Sequence, residues 1–191
     1  GPLCIDNWGL DRIGEESLPS DYRYQWPSHA VSQRIYVFDT GVRDSHREFA
    51  GFSGSRVTQL INATTEPDGD FYGHGTHVAA IAAGRTYGVA KRASIYDVKI
   101  LASTSTPPST YLSWMLAGLQ AIQSHMTSDP PTGTAVLNWS GANFDVFVTS
   151  TGKQYVLLRQ ELVGMLEDHE DLLLVQSAGN DGQDACDLSF G

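Results

Sequence analysis

The sequence predicts an α/β fold in three layers, a mostly parallel sheet with helices on both of its faces. Three observations lead there. Short, nearly continuous apolar runs recur along the chain, as strands buried on both faces require. Segments with apolar residues at helical spacing lie between them. Polar, glycine-containing turns follow several of the runs, where an open parallel sheet places its ligand sites.

The elements follow in chain order. Ile35-Tyr36-Val37-Phe38 is the first buried strand, and Asp39-Thr40-Gly41 is the turn after it. Ala79, Ala80, Ala82 and Ala83 come after a glycine-rich turn and predict a helix of small residues packed close to its neighbours. Residues 95–101 form the second strand, and residues 102–110 (ASTSTPPST) form a surface loop rich in Ser, Thr and Pro. Leu112, Met115, Leu116, Leu119, Ile122 and Met126 fall on one helical face. Ala135–Trp139 is a strand that ends in Ser140-Gly141. Tyr155, Leu158, Leu162 and Leu166 mark a further helix, and Leu172–Gln176 a last strand, followed by Gly179-Asn180-Asp181-Gly182. The turns after the strands should converge on one edge of the sheet.

Composition narrows the function. Hydrophobic residues make up 41% and charged residues 18%, a globular balance. Twelve Lys and Arg against 22 Asp and Glu give a net charge of −10, which argues against nucleic acid or an anionic membrane as the main partner. No apolar run approaches the ~18 residues of a spanning helix. The sequence starts without Met or a signal peptide, as a processed chain or an excerpt does. Cys4 and Cys186 are the only cysteines, at opposite ends of the chain. They pair with each other, pair elsewhere, or stay free and buried. Asn62-Ala63-Thr64 is an N-glycosylation sequon, relevant only in a secretory host.

Acyl transfer to a serine needs a base, a group that orients the base, and donors for the oxyanion. Asp39, rigid at a strand end, suits the orienting role. His74 lies between Gly73 and Gly75 at the start of the alanine-rich helix, where backbone comes close to a substrate. Asn180 follows a strand and offers an amide to an oxyanion. Singly, each also reads as a turn or cap residue. His74 and His77 share roughly one helical face, so a metal site is an alternative, with Asp44 and His46 as candidates to complete it.

Taken together, Asp39-Thr40-Gly41, His74-Gly75-Thr76-His77 and Gly179-Asn180 resemble the subtilisin superfamily of serine proteases, most closely its proteinase K branch. The resemblance extends through residues 8–13, 36–42, 45–49 and 85–91. It implies a subtilisin-like fold and a secreted serine endopeptidase. Asp39 and His74 match the catalytic aspartate and histidine, His77 a structural histidine, and Asn180 the oxyanion asparagine. Ser140, Gly141, Ala142 and Gly179 fall in the substrate groove. Peptide or protein is the implied substrate, with a propeptide or inhibitor as further partner and no nucleic acid or membrane. No organic cofactor or catalytic metal is implied; calcium often stabilises this family, but no acidic cluster marks a site.

The chain also departs from the family pattern. The Gly-Thr-Ser-Met-Ala-like nucleophile motif is absent, and Ser189 is followed only by Phe190-Gly191. Residues 1–191 therefore read as one catalytic domain, incomplete at its C-terminal end, with the serine expected beyond residue 191 and the chain alone inactive. Pro107-Pro108 stands where the family has glycines that pair with substrate, and proline donates no amide hydrogen bond. Ala142 replaces a glycine near the pocket. These departures leave a second reading open, a protease-like binding protein that holds peptide without cleaving it.

Overall fold

The structure is a computed structural model that describes residues 3–4, 8–14, 23–24, 30–51, 53–141, 153–177 and 180. In chain order the elements are β1 (Leu3–Cys4), α1 (Trp8–Gly14), β2 (Arg23–Tyr24), β3 (Arg34–Asp39), β4 (Ala50–Gly51), β5 (Gly54–Ser55) and β6 (Val57–Asn62). They continue as α2 (His74–Ala83), β7 (Ser94–Lys99), α3 (Leu112–Ser128), β8 (Ala135–Trp139), α4 (Lys153–Asp168) and β9 (Leu172–Gln176).

Five strands form the central sheet in the order β6-β7-β3-β8-β9. Every neighbouring pair is parallel, so all five carboxyl ends share one rim. The chain starts this sheet at its centre, with β3, builds β6 and β7 on one side, and then crosses to β8 and β9 on the other. That change of direction puts the topological switch point beside β3, the place where open parallel sheets bind ligands.

The first apolar run is buried as expected, whereas in β9 only Leu172 is buried. From Ile35 to Asp39 every residue of β3 is buried. Ile35 and Val37 pack with Phe49, Ala79, Ala83 and Ile95 on one face. Tyr36 and Phe38 pack with Met115, Leu119, Leu137 and Met165 on the other. Helix α2 covers the first face, and α3 and α4 cover the second. Close approach has a sequence cause on each side. Alanines line α2, and Gly118 of α3 leaves room for Phe38, because a Cβ at Gly118 would lie 2.6 Å from the Phe38 ring.

Three further features differ from the sequence expectations. Strand β6 has no clean alternation, because a register shift between Gln59 and Ile61 interrupts its pairing with β7. The second predicted strand is not uniformly apolar in its chemistry: Asp97 and Lys99 are both buried within it. Lys99 lies at the strand's end, where its long stem lets the ammonium reach the Gly69 carbonyl at 2.7 Å and the Ser103 hydroxyl at 2.8 Å. Helix α1 and the short β1–β2 ladder add an N-terminal layer beyond the alternating core. Cys186, and with it any pairing to Cys4, lies outside the described residues.

Candidate active site

Asp39 closes β3, and its side chain is fully shielded from water. The Thr40 backbone N–H donates to its Oδ1 at 2.7 Å. His74 opens α2 and brings its ring to this carboxylate. Nδ1 lies 2.8 Å from Oδ1 and 2.9 Å from Oδ2 of Asp39. A carboxylate only accepts, so Nδ1 carries the proton and Nε2 is left as the basic nitrogen. The imidazole remains 41% exposed, so the dyad is anchored at one end and open at the other. Its hydrogen bond to Asp39 raises the His74 pKa above the ordinary value. Burial opposes the rise, and the negative charges of Asp39 and Asp70 add to it.

Local sequence explains why the ring reaches this place. Gly73 caps α2 with φ 97°, a left-handed conformation that glycine adopts without penalty. Gly75 must lack a side chain for a different reason: a Cβ there would sit 2.3 Å from the Gly41 carbonyl oxygen and 3.1 Å from Asp39 Cβ. The two glycines that flank His74 thus let the helix start press against the end of β3. The Gly75 N–H, otherwise unpaired in the first turn of a helix, donates to Thr40 Oγ1 at 3.0 Å.

A sequence profile of the subtilase family matches residues 32–190. The chain belongs to this family. It is 32% identical over 185 residues to the cuticle-degrading serine protease of Arthrobotrys oligospora, covering 95% of this chain and 41% of that protein. It is 36% identical over 186 residues to the extracellular serine proteinase of a Thermus species, covering 94% of this chain and 38% of that protein. The crystal structure of a cold-adapted subtilisin-like serine proteinase superposes with a TM-score of 0.74 at 29% identity, over 94% of this chain and 58% of that one. The subtilase chain thus spans about two fifths of the curated relatives it matches.

Within this subtilase chain three of the other expected residues, Ser140, Gly141 and Asn180, come after the ends of β8 and β9. Ser140 and Gly141 follow β8, and Asn180 is an exposed bend past the end of β9, two strands from Asp39. The Asn138 amide donates to Ser140 Oγ at 2.9 Å, and the Ser177 hydroxyl donates to the Gly141 carbonyl at 3.1 Å, which ties the two rim turns together. Ala142 and Gly179 lie outside the described residues. His77 does not join His74. It lines a groove of about 610 Å³ between α1 and α2 together with His46, Ile13 and Ile81. Among the described residues no three His, Cys, Asp or Glu side chains gather as metal ligands.

Protein donors engage the acidic residues of the loop before His74. Glu66 accepts from the backbone N–H groups of Ser103 and Thr104, Asp68 from Gln59 and Asn62, and Asp70 from Gly73 and Thr76. Asp70 and Thr40 are the partners that the motif spacing leaves unmarked. Their only trace in the sequence is position, Asp70 four residues before His74 and Thr40 directly after Asp39.

Proposed function

We propose that this chain is the front part of the single catalytic domain of a secreted serine endopeptidase. One observation carries the reading, the bond from His74 Nδ1 to a fully buried Asp39 carboxylate at the switch point of a parallel sheet. The names of the relatives support the extracellular location and the serine protease class. The substrate is peptide or protein, and a propeptide or inhibitor occupies the same groove.

In this reading Asp39 holds the imidazole in one tautomer and stabilises the imidazolium once it forms. His74 Nε2 takes the proton from a serine beyond residue 191 and later donates it to the leaving amine. The Asn180 amide donates to the oxyanion, a contribution of about 3 kcal/mol to such a barrier. Ser140, Gly141, Ala142 and Gly179 border the bound peptide. The reaction requires no cofactor.

The test uses the full-length protein. A serine-directed fluorophosphonate should label a serine beyond residue 191, and His74→Ala should abolish both labelling and peptide hydrolysis. Peptide binding without labelling or hydrolysis would support the second reading, a protease-like binding protein. One feature favours that alternative. The loop after β7 closes on itself, with the Ala102 N–H donating to the Ser109 carbonyl at 2.7 Å, so these two groups pair with each other and not with a substrate strand.

A further inference from the structure

We propose that Asp70 is a positioning residue for the dyad, a second carboxylate that clamps the backbone on both sides of His74 to the turn after Asp39. The proposal rests on the peptidase reading above and adds a residue to its machinery.

Asp70 joins three segments. Its Oδ1 accepts from the N–H of Tyr72 at 3.1 Å and of Gly73 at 2.7 Å, immediately before His74. Its Oδ2 accepts from the N–H of Thr76 at 2.9 Å and from the Thr76 hydroxyl at 2.7 Å, just after His74. Its Oδ1 also accepts from the Thr40 hydroxyl at 3.0 Å, next to Asp39. Each hydroxyl then passes the bond on. Thr40 Oγ1 accepts from Gly75 N, and Thr76 Oγ1 accepts from Arg43 N at 3.0 Å. Residues 73, 75 and 76 are therefore held directly or through one hydroxyl, and so are residues 40 and 43. These bonds fix the main chain on both sides of His74, from which its ring reaches Asp39.

The clamp is itself anchored. Buried Lys99 donates to the Gly69 carbonyl, one residue before Asp70, and pairs with Glu66 at 3.2 Å. A Cβ on Gly41 would lie 2.7 Å from that same carbonyl, so the two turns touch. Burial alone would raise the Asp70 pKa, but the bonds from Thr76, Gly73 and Thr40 outweigh it and hold the group ionised. Its charge raises the His74 pKa, after the larger contributions from Asp39. The titratable groups around this cluster include Asp39, Asp97, Lys99 and its partner Glu66. A simple helix cap needs only one of these bonds. A carboxylate that reaches both sides of the base and the turn of its orienting partner also governs where the base sits and how readily it charges.

The experiment compares Asp70→Asn, Thr40→Val and Thr40→Ser in the full-length protein. His74 is followed by NMR titration of its ring proton, assigned with His74→Gln, alongside the pH profile of kcat/KM. Asp70→Asn should lower the His74 pKa, because it removes a negative charge that favours the imidazolium. It should move the acid limb of kcat/KM the same way and reduce kcat by roughly 10- to 100-fold with KM changed less than threefold. Thr40→Val should reduce kcat with a smaller change in the His74 pKa, and Thr40→Ser should restore it. If the Asp70 variant does not fold, the Thr40 pair decides alone, and equal kcat for Val and Ser overturns the proposal. A lower melting temperature with unchanged kcat and unchanged His74 titration would also overturn it, because Asp70 would then only stabilise the fold. The NMR arm reads out even if the wild-type protein cleaves nothing, so failure of the peptidase reading is distinguishable from failure of this one.

Discussion

At the residue scale, the buried charges are chemically unequal. Asp39 is shielded but has a hydrogen-bonded imidazole beside it. Asp97, one strand away, is 2% exposed, and its Oδ1 has no hydrogen-bond partner. Burial pushes its pKa up to about 7, with the Val42 N–H and Lys99 pulling the other way. A carboxyl held this high binds more protons folded than unfolded between its ordinary pKa and about 7. Stability from this group is therefore full at low pH, falls as pH rises through that window, and stays low above it. The cost above pH 7 is on the order of 4 kcal/mol. We expect Asp97→Asn to remove this slope, so that its urea midpoint exceeds that of the wild type by more at pH 8 than at pH 5. Equal midpoints at both pH values would contradict the assignment.

At the element scale, the start of α2 is set by contact as much as by helix propensity. Gly75→Ala puts a methyl against the Gly41 carbonyl, and one of the two turns must yield. The expected loss is roughly 1–3 kcal/mol in urea unfolding. The His74 titration should fall toward that of a free imidazole as the bond to Asp39 lengthens. A second device joins β3 to α3 at the opposite end of the sheet. The Tyr36 hydroxyl lies 2.7 Å from His125 Nδ1, and the His125 ring stacks 4.5 Å from Tyr96. Burial lowers the His125 pKa, and the positive charge of Arg34 lowers it further, against Asp129. Burial also pushes the Tyr36 hydroxyl up to about 12, so it stays protonated and donates. A histidine with a lowered pKa takes up fewer protons folded than unfolded. Stability from the pair is full above the unfolded value and is lost as pH falls below it. Replacing His125 with Gln should flatten the decline below pH 6.5 in the same unfolding assay.

At the scale of the whole molecule, β6 and β9 are the two edges of the central sheet among the described residues. Among the described residues β9 is hydrogen-bonded only to β8, and Leu173 and Val175 project from it exposed. Apolar side chains on a strand with a free edge invite pairing with another chain. The 191-residue chain should therefore self-associate in sedimentation runs at rising concentration, and Leu173→Lys with Val175→Lys should return it to monomer. Unchanged association in the double variant would place the contact elsewhere. The described helices include none long and apolar enough to cross a membrane.

Much of this molecule was legible in its sequence. Four of the five strands and the three long helices follow from apolar runs and helical spacing, because burial on two faces writes directly into residue type. The family, and with it the pairing of Asp39 with His74, follows from motifs whose glycines and polar residues tolerate little change. Strand β6 escaped because its bulge breaks the period on which such readings depend. Only the tertiary structure decided that Asp97 and Lys99 are buried, that His77 faces a different groove from His74, and that Asp70 and Thr40 hold the dyad. A charged or hydroxyl side chain looks the same in sequence whether water or protein solvates it. Which of the two does so depends on segments some 30 residues apart meeting at one rim of the sheet.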